Sequence, residues 1–486
     1  MEHEQHTMSA LSNFRSNLTL QFSLITNLEN SIYKVKLALL SPSFPLCGTH
    51  NRSAHTTDNS IMPLKTSTST MLDSETVPAV RPRKIRAAKA AMRITNPLRD
   101  IVDQLKVPAN PPKPLISLSI GDPTVFGNLP TADNIIERLV ENAQTGKYNG
   151  YCHSTGYEAA RAAVARTHST SRSPLTPSDI FLTSGCSGAL EIAISAVADE
   201  GSNLLIPAPG FTLYAVVCDY KNVEKRFYQC KAENNWEADL EHMESLIDDK
   251  TAAILVNNPG NPTGAVYSEK HLRDILALAE RYGLPIIADE IYEGIIFKGH
   301  SFHALGDLSD NVPILTVGGL AKNYLLPGWR LGWVIAHDRH DVLSEVKIGL
   351  LKLTQVILGA CTLIQSVVEE ALLNTPDTYS QQLTATLETH ASFLNEKLEK
   401  IGGLQPVTPG GAMYLMFGID LQRFGCKTDI DFSKKLLEEE MVLVLPGTLF
   451  QAPGFVRLVT CPPLDKLEEA CERIKLFCER HDTKTK

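Results

Sequence analysis

The sequence has 486 residues, of which 43% are hydrophobic and 21% charged, a composition typical of globular proteins that excludes collagen-like, wholly disordered and small disulfide-stapled chains. The 46 Lys and Arg residues are outnumbered by 55 Asp and Glu residues, and the net charge of −9 argues against a dedicated nucleic-acid-binding protein. The 10 cysteines form no CxxC pair and no Cys/His ladder at zinc spacing, so we expect reduced thiols, no disulfide and no metal.

Residues 1–92 differ in composition from the rest of the chain. They are rich in Ser, Thr, Asn and scattered basic residues and lack helical or alternating apolar periodicity, which predicts a disordered extension. Charged residues interrupt its most apolar stretch, residues 18–40, well short of the run of about 20 apolar residues that a membrane-spanning helix needs. The folded body is therefore expected to begin near Asn96.

A basic cluster over residues 81–93 is typical of a mitochondrial presequence, but the acidic Glu2 and Glu4 at the start of the chain are not. A solvated linker explains the region equally well. So does a sequence that begins upstream of a true translation start at Met62 or Met71. We therefore predict a cytoplasmic location and keep a mitochondrial one as the alternative.

After Pro97, short β-branched apolar runs alternate with longer amphipathic segments, the pattern of βαβ units and a largely parallel sheet. The predicted fold class is therefore α/β. The predicted strands are short, apolar and bounded by Gly, Pro, Asp or Asn: Ile180–Thr183, Asn203–Ile206, Ala253–Asn257, Pro285–Asp289 and Ile314–Val317. The predicted helices include Gly188–Ala198 and Glu269–Tyr282.

Beyond Leu372 the pattern changes to that of a second, smaller domain. It has a long amphipathic helix and hairpin-like strands, at Gln381–Ile401, Ala412–Phe417 and Phe455–Thr460. We predict a small domain made of two segments around a large one, with residues 96–130 and 373–486 in the small domain and 131–372 in the large domain.

Lys322 follows a predicted strand in the run GGLAK and is a candidate nucleophile. A lysine amine is nucleophilic only when it is unprotonated, which burial among neighbours such as Leu320 and Trp329 would favour. Most lysines in such turns are solvated, so this signal alone is weak. Arg330, in PGWRLGW, is a planar cation suited to a phosphate or carboxylate, although a surface ion pair is an equally simple interpretation.

The apolar strand that ends at Asp289 places a carboxylate where open α/β sheets bind ligands. A buried carboxylate needs a cationic partner, which a protonated ring nitrogen would supply. A helix N-cap is the other interpretation, and the residues alone do not separate the two.

Two further turns contain candidate binding residues. In TSGCSGAL a strand ends in small residues that open a helix, so free amides and the Ser187 hydroxyl could hold a phosphate, although a plain helix cap is the simpler interpretation. In NPGNPTG two Asn-Pro steps fix the backbone and place Asn261 in a rigid turn. A turn with a purely structural role rarely needs so specific a sequence, so this motif is a stronger signal.

The motifs NPGNPTG, ADEIY, GGLAK and PGWRLGW, in this order, resemble those of the class I aminotransferases of fold type I, which use pyridoxal 5'-phosphate. The resemblance covers about residues 96–480, and the four motifs together are highly specific. The strings SIGDPTVFGNL, KYNGY and GAMYLM, with the GGLAK form, are similar to the family members that act on tyrosine. The family fold has a large domain, with a mainly parallel seven-stranded sheet flanked by helices, and a smaller α/β domain.

The resemblance implies roles for the matching cofactor residues. Lys322 would bind the cofactor covalently and later carry a proton between the substrate and cofactor carbons, while Asp289 would pair with the ring nitrogen. Tyr292 and Asn261 would bind the phenolic oxygen, and Phe211 would stack on the ring, although alone it is more typical of a core residue. The phosphate would be held by Gly185, Cys186, Ser187 and Arg330.

The resemblance also implies a homodimer, because Tyr151 matches a tyrosine that reaches the phosphate of the neighbouring subunit. Its active sites would lie at the subunit interface. Arg457 would grip the substrate α-carboxylate with its planar fork, with Gly121 and Asn261 as further substrate contacts. Without the resemblance, Arg457 would be interpreted as a charge at a strand edge.

Relatives that take dicarboxylates offer an arginine to the second carboxylate, whereas the corresponding stretch, residues 349–361, has no Arg and only Lys352. Aromatic and apolar amino donors are therefore expected. The predicted reaction converts L-tyrosine and 2-oxoglutarate to 4-hydroxyphenylpyruvate and L-glutamate by ping-pong kinetics.

One position departs from the pattern, because Gly319 stands where many relatives have a phosphate-binding serine. Three alternative functions stay open: a broad-specificity alanine or aromatic aminotransferase, a C–S lyase of the same fold, and a binding module that has lost its chemistry.

Overall fold

The structure is a computed structural model that describes residues 85–97, 105, 107 and 111–484. Most of the predicted disordered extension therefore lies outside the described residues. A short helix, α1 at Lys89–Arg93, falls inside the predicted extension, where an alanine-rich sequence gives high helix propensity. Regular structure thus begins before Asn96, earlier than predicted. Arg93 donates to the carbonyl oxygen of Tyr220 at 3.2 Å, so this helix is attached to the body of the same chain.

The remaining helices follow in chain order. They are α2 Asp133–Thr145, α3 Glu158–His168, α4 Gly185–Val197, α5 Thr212–Lys221, α6 Leu240–Ser245, α7 Glu269–Tyr282, α8 Leu305–Leu308, α9 Ser344–Gln355, α10 Thr362–Gln365, α11 Asp377–Glu399, α12 Asp429–Glu440 and α13 Leu464–His481. The strands are β1 Ile116–Ser117, β2 Ile180–Thr183, β3 Asn203–Ala208, β4 Glu224–Lys231, β5 Glu237–Ala238, β6 Thr251–Asn257, β7 Ile286–Asp289, β8 Ile314–Gly319, β9 Gly332–His337, β10 Leu404–Val407, β11 Tyr414–Ile419, β12 Val442–Leu443, β13 Leu445–Pro446 and β14 Phe455–Val459.

The larger sheet has the strand order β2-β9-β8-β7-β6-β3-β4-β5. All pairs from β8 to β4 are parallel, whereas β9 runs antiparallel to both of its neighbours and β5 antiparallel to β4. The predicted α/β class and mainly parallel sheet are confirmed, with the two-residue β5 as an eighth strand at the edge. The five predicted strands are all present. The prediction missed β9, which begins at the last two residues of the PGWRLGW motif and continues beyond it. It also missed β4, in which most side chains are at least partly exposed.

Both faces of this sheet are covered by helices, because side chains alternate along each strand. Leu204, Leu255 and Ile287 belong to one buried cluster together with side chains of α4 and α5. Their chain neighbours, such as Leu205 and Ile286, belong to a second cluster with side chains of α7. The near-continuous apolar strands of the sequence are therefore explained by burial on two sides.

The smaller sheet is antiparallel, in the order β10-β11-β14-β13, and packs against α11, α12 and α13. Strands β11 and β14 are antiparallel partners, but the expected hairpin between them is wrong, because α12, β12 and β13 lie between them in the chain. The hairpin joins β10 to β11 instead. A second long-range pairing, β1 with β12, brings the segment around Ser119 beside the smaller sheet. The division into two domains stays a prediction.

No helix in the described part of the chain is long and apolar enough to cross a membrane. The structure describes every cysteine except Cys47, and those that it describes are free thiols. Burial raises the pKa of Cys218, Cys461 and Cys478 to about 12, so these thiols stay protonated at neutral pH.

Parallel strands end at one edge of a sheet, and ligands in open α/β folds bind there. The turns that follow β2, β3, β6, β7 and β8 all leave the same edge. These turns and strand ends contain several of the predicted site residues: Gly185, Phe211, Asn261, Asp289 and Lys322.

Candidate active site

A cavity of about 570 Å³ opens at this edge of the larger sheet. The size suits a small-molecule cofactor with its substrate. Of the predicted site residues, those that line it are Gly121, Cys186, Ser187, Phe211, Asn261, Asp289, Tyr292, Lys322, Arg330 and Arg457. Gly185 lies directly beside it and Tyr151 lies away from it, so the structure brings nearly the whole predicted set together.

Lys322 is placed by the turn that follows β8 and is half-buried. Its Nζ donates a hydrogen bond to the carbonyl oxygen of Gly121 at 2.5 Å. Its amine also lies 5.8 Å from the centre of the Tyr292 ring. Lys322 is therefore held at the cavity wall by chain partners and is not the solvated lysine that such turns usually contain.

Asp289 ends β7 and is 3% exposed. The Tyr214 hydroxyl donates to its Oδ2 at 2.7 Å, and the backbone N–H of Ile291 donates to its Oδ1 at 3.3 Å. Burial raises the pKa of Asp289 to about 6, against the lowering effect of these hydrogen bonds. No helix begins after Asp289, so the N-cap interpretation is wrong.

The first turn of α4 and Arg330 form another part of the cavity wall. The helix begins at Gly185, three residues earlier than predicted, so the amides of Cys186 and Ser187 belong to its first turn. Arg330 donates to the carbonyl oxygens of Pro327 and Ser184 and forms no ion pair with a described residue. A Cβ atom on Gly185 would lie 2.7 Å from the Arg330 guanidinium, so only glycine allows this approach. Free helix amides beside an arginine are a typical phosphate site.

Arg457 lies in the middle of the smaller sheet, on β14 between β11 and β13, and is 5% exposed. Its guanidinium is sandwiched between the rings of Tyr414 and Phe450, at 4.6 and 4.7 Å from their centres. Its Nη1 donates to Oδ1 of Asn261 at 3.0 Å, and its Nη2 donates to the carbonyl oxygen of Ser119. Its Nε has no hydrogen-bond partner among the described residues. Burial lowers its pKa. Because the side chain is buried on a central strand, the interpretation as a strand-edge charge is wrong.

The turn that carries Asn261 is fixed to the end of β7 by Asn257. The Asn257 amide oxygen accepts from the backbone N–H of Asn261 at 2.8 Å, and its nitrogen donates to the carbonyl oxygen of Asp289 at 3.0 Å. Both Asn-Pro bonds of the motif are cis. The turn therefore connects Asp289 to Arg457 through Asn261.

Two tyrosines meet at the floor of the cavity. The hydroxyls of Tyr292 and Tyr414 are 2.8 Å apart, and their rings pack edge to face at 5.7 Å. Burial, followed by the neighbouring Tyr414, raises the pKa of Tyr292 well above its ordinary value, so it stays protonated. Phe211 lies at the start of α5 and lines the cavity while also packing on the core, so both interpretations of this residue apply.

Tyr151 is 90% exposed and does not line the cavity of its own chain. Its loop is joined to the last turn of α9, just before the stretch that follows this helix, by a hydrogen bond of 3.1 Å between the hydroxyls of Thr354 and Ser154. That stretch carries Val356 and Leu358, which are 78% and 58% exposed. Contiguous exposed apolar side chains of this kind mark a surface that binds another protein.

Gly319 cannot be replaced by the serine that the family pattern expects. A Cβ atom there would lie 2.6 Å from the carbonyl oxygen of Leu331 and 2.9 Å from Cα of Gly332. Backbone atoms do not move aside as a flexible side chain does. A serine at position 319 therefore does not fit unless β8 and β9 move apart.

The sequence analysis missed three residues of the site. Tyr214 bonds to Asp289, Tyr414 packs on Arg457, and Asn257 holds the Asn261 turn. Tyr214 has a signal, since it stands three residues after Phe211 and so shares its face of a helix. Tyr414 contacts Arg457, and Asn257 also reaches the carbonyl oxygen of Asp289, across long sequence separations that only the fold reveals.

Comparisons with known proteins show the family to which the chain belongs. Residues 113–474 match the family model described as aminotransferase class I and II. A tyrosine aminotransferase from Mus musculus is 46% identical over 82% of this chain and 88% of its own, and one from Dictyostelium discoideum is 48% identical over 82% and 97%. The solved structure of a tyrosine aminotransferase from Leishmania infantum superposes with a TM-score of 0.80 at 36% identity, covering 83% of this chain and all of that one.

The chain therefore belongs to the class I and II aminotransferases, and it is a pyridoxal-phosphate-dependent enzyme of fold type I. The residues present fit that cofactor on physical grounds. Asp289 is a buried carboxylate without an ion-pair partner among the described residues, and the first turn of α4 beside Arg330 offers donors to a phosphate.

We predict that Gly319→Ala lowers the free energy of unfolding by about 1–3 kcal/mol, because the added Cβ overlaps backbone atoms of β9. Gly328→Ala is the matched control, since no heavy atom lies within 4 Å of a Cβ built there. Urea unfolding of both variants measures the difference. Equal stability of the two variants would contradict the geometric account of the missing serine.

Proposed function

We propose that the protein is a transaminase whose preferred amino donor is L-tyrosine and whose acceptor is 2-oxoglutarate, with products 4-hydroxyphenylpyruvate and L-glutamate. One observation carries the proposal: Lys322, Asp289 and Arg457 converge on a single cavity. The identity of 42–48% to tyrosine aminotransferases over most of the chain supports the choice of substrate.

In this proposal the cofactor is held at three points. The first turn of α4, through Gly185, Cys186 and Ser187, binds its phosphate together with Arg330. Asp289 pairs with its ring nitrogen, and Phe211 packs on its ring. The third point is the phenolic oxygen, to which Tyr292 and Asn261 donate. Because the amide oxygen of Asn261 already accepts from Arg457, its nitrogen is the group left for this bond.

When bound, pyridoxal phosphate draws electrons away from the α-carbon of an attached amino acid. The chain supplies the remaining chemistry. Lys322 binds the cofactor through its amine and, once released, moves the α-proton as a general base and then a general acid. In the structure the carbonyl oxygen of Gly121 accepts from this amine, which holds the amine at the cavity wall.

Arg457 binds the α-carboxylate of the substrate in this proposal. The guanidinium is rigid, because two aromatic rings enclose it and Asn261 and Ser119 accept from it. Its unpaired Nε and its lack of an acidic partner among the described residues leave a buried positive charge that a carboxylate neutralises. A lysine could not reproduce the planar fork.

The donor preference rests on two features of the part of the cavity that would hold the substrate side chain: its apolar surface and the absence of an arginine for a second carboxylate. Around the substrate end of the cavity lie Ile120, Leu443 and Leu445, which suit an aromatic or apolar side chain. Residues 349–361 contain no arginine that could bind a second carboxylate. These features disfavour aspartate and glutamate as the preferred donors and suit tyrosine, with other aromatic or apolar amino acids as further substrates.

We also propose that the active unit is a homodimer in which Tyr151 reaches the phosphate of the partner subunit. Its 90% exposure and its position beside the exposed apolar residues Val356 and Leu358 support this role. The stretch 349–361 would then also face the partner's cavity. The cytoplasmic location expected from the sequence stays a prediction.

The donor preference is tested with a panel of amino acids, using 2-oxoglutarate, pyruvate and oxaloacetate as acceptors. We expect tyrosine and phenylalanine to give the highest kcat/KM, and initial rates to follow ping-pong kinetics. Faster turnover of aspartate than of tyrosine would contradict the proposal. Release of ammonia and pyruvate from cystathionine, without amino transfer, would indicate the C–S lyase instead.

Shared active sites are tested by mixing two inactive variants, Lys322→Ala and Tyr151→Ala, at limiting cofactor concentration. In a mixed dimer one site has both defects and the other has neither. Random exchange of equal amounts therefore restores about a quarter of the wild-type sites. Activity no greater than the sum of the unmixed variants would show that Tyr151 does not act across an interface.

A further inference from the structure

The carboxylate of Asp289 is held by donors on both of its oxygens. The Tyr214 hydroxyl donates to Oδ2 at 2.7 Å. The backbone N–H of Ile291 reaches Oδ1 at 3.3 Å, and the Cys186 thiol lies 3.8 Å from the same oxygen. Among the described residues, Tyr214 is thus the one donor to Oδ2 and makes the shortest of the three contacts. Removing this hydroxyl would leave Oδ2 without a donor from the chain.

Tyr214 is itself fixed in place. It lies in α5, is 1% exposed, and packs edge to face against Phe211 with ring centres 5.8 Å apart. Burial raises its pKa well above the ordinary value, and the Asp289 carboxylate raises it further. Tyr214 therefore stays protonated and can only donate to Asp289.

We propose that Tyr214 is a positioning residue for Asp289, whose carboxylate it holds ionised and oriented toward the ring nitrogen of the cofactor. Both residues line the cavity. The Tyr214 hydroxyl donates to Oδ2 of Asp289 and the Ile291 N–H donates to Oδ1, so the two donors together set the plane of the carboxylate. The inference rests on the role proposed above for Asp289. It adds a residue that no sequence motif identified.

The electrostatics of the site make this bond important. Burial is the main cause that raises the pKa of Asp289 to about 6, and the Tyr214 hydroxyl is the first of the effects that lower it. A hydrogen bond to a charged group is worth more than one between neutral groups. The other titratable groups that face or adjoin Asp289 come from α4, from the turn after β8 and from its own turn: Cys186, Lys322, Glu290 and Tyr292.

The sign of the pH effect follows from these contacts. The carboxylate can neutralise a protonated ring nitrogen only when it is ionised, so cofactor affinity is present above the pKa of Asp289 and lost as the pH falls through it. Without the hydroxyl, this pKa rises. The acid limb of cofactor binding then moves to higher pH.

The test uses the full chain, stripped of cofactor and titrated with pyridoxal phosphate between about pH 5 and pH 8, with the absorbance spectrum as readout. Tyr214→Phe removes one buried hydroxyl and keeps the ring. Tyr228→Phe is the matched control, because Tyr228 is also fully buried, its hydroxyl donates to the carbonyl oxygen of Leu255 at 2.9 Å, and it does not line the cavity.

We expect Tyr214→Phe to weaken cofactor binding about tenfold near neutral pH and to move the acid limb upward by about one pH unit. Tyr228→Phe should move neither quantity, although both variants lose a buried hydrogen bond and should lose similar stability. Equal binding curves for the two variants would overturn the inference and assign Tyr214 a packing role.

A double-mutant cycle separates this inference from the proposed role of Asp289. Asp289→Asn alone should weaken cofactor binding, and adding Tyr214→Phe to it should cost nothing further, because the hydroxyl acts through the carboxylate. Additive losses would overturn the positioning role alone. Wild-type affinity in Asp289→Asn would overturn the role of Asp289 itself, and the inference with it.

Discussion

Two buried charges of opposite sign line one cavity, and neither forms an ion pair with a described residue. Asp289 and Arg457 are 3% and 5% exposed. Burial raises the pKa of the carboxyl group and lowers that of the guanidinium, which shows that the charged form of each is disfavoured by its surroundings. Uncompensated buried charges are costly, so their presence implies ligands that neutralise them. In the proposed function, a cationic ring nitrogen would neutralise the first, and the carboxylate of an amino acid would neutralise the second.

The fold makes this arrangement possible because the two charges come from different sheets. Asp289 lies at the end of a parallel strand, where the turn that carries Lys322 and the first turn of α4 also lie. Arg457 comes from the centre of the antiparallel sheet, where aromatic rings hold its guanidinium rigid. Asn261 connects them, since its turn is anchored at the end of β7 and its side chain accepts from Arg457. A change in the packing of either sheet therefore alters the spacing of the two charges.

Much of the fold and site was predictable because its signals are local. The buried strands are continuous apolar runs bounded by turn residues, and β2 and α7 were predicted with their observed bounds. Strand β4 was missed because it is mostly half-exposed, and α1 because it is short. The chemistry of Asp289 and Arg330 is ambiguous from the residues alone, and only the resemblance given by the order of the four motifs implies a role for each. Tyr414 and Asn257 act through contacts distant in sequence, and such contacts depend on tertiary packing that no local pattern contains.

The central claim is that this cavity binds pyridoxal phosphate covalently through Lys322, with Asp289 opposite its amine. Borohydride reduction of the cofactor-loaded protein, followed by proteolysis and mass spectrometry, tests it most directly. The account predicts a single phosphopyridoxyl label on the peptide that contains Lys322. An unlabelled Lys322 peptide, or a label confined to another lysine, would contradict it.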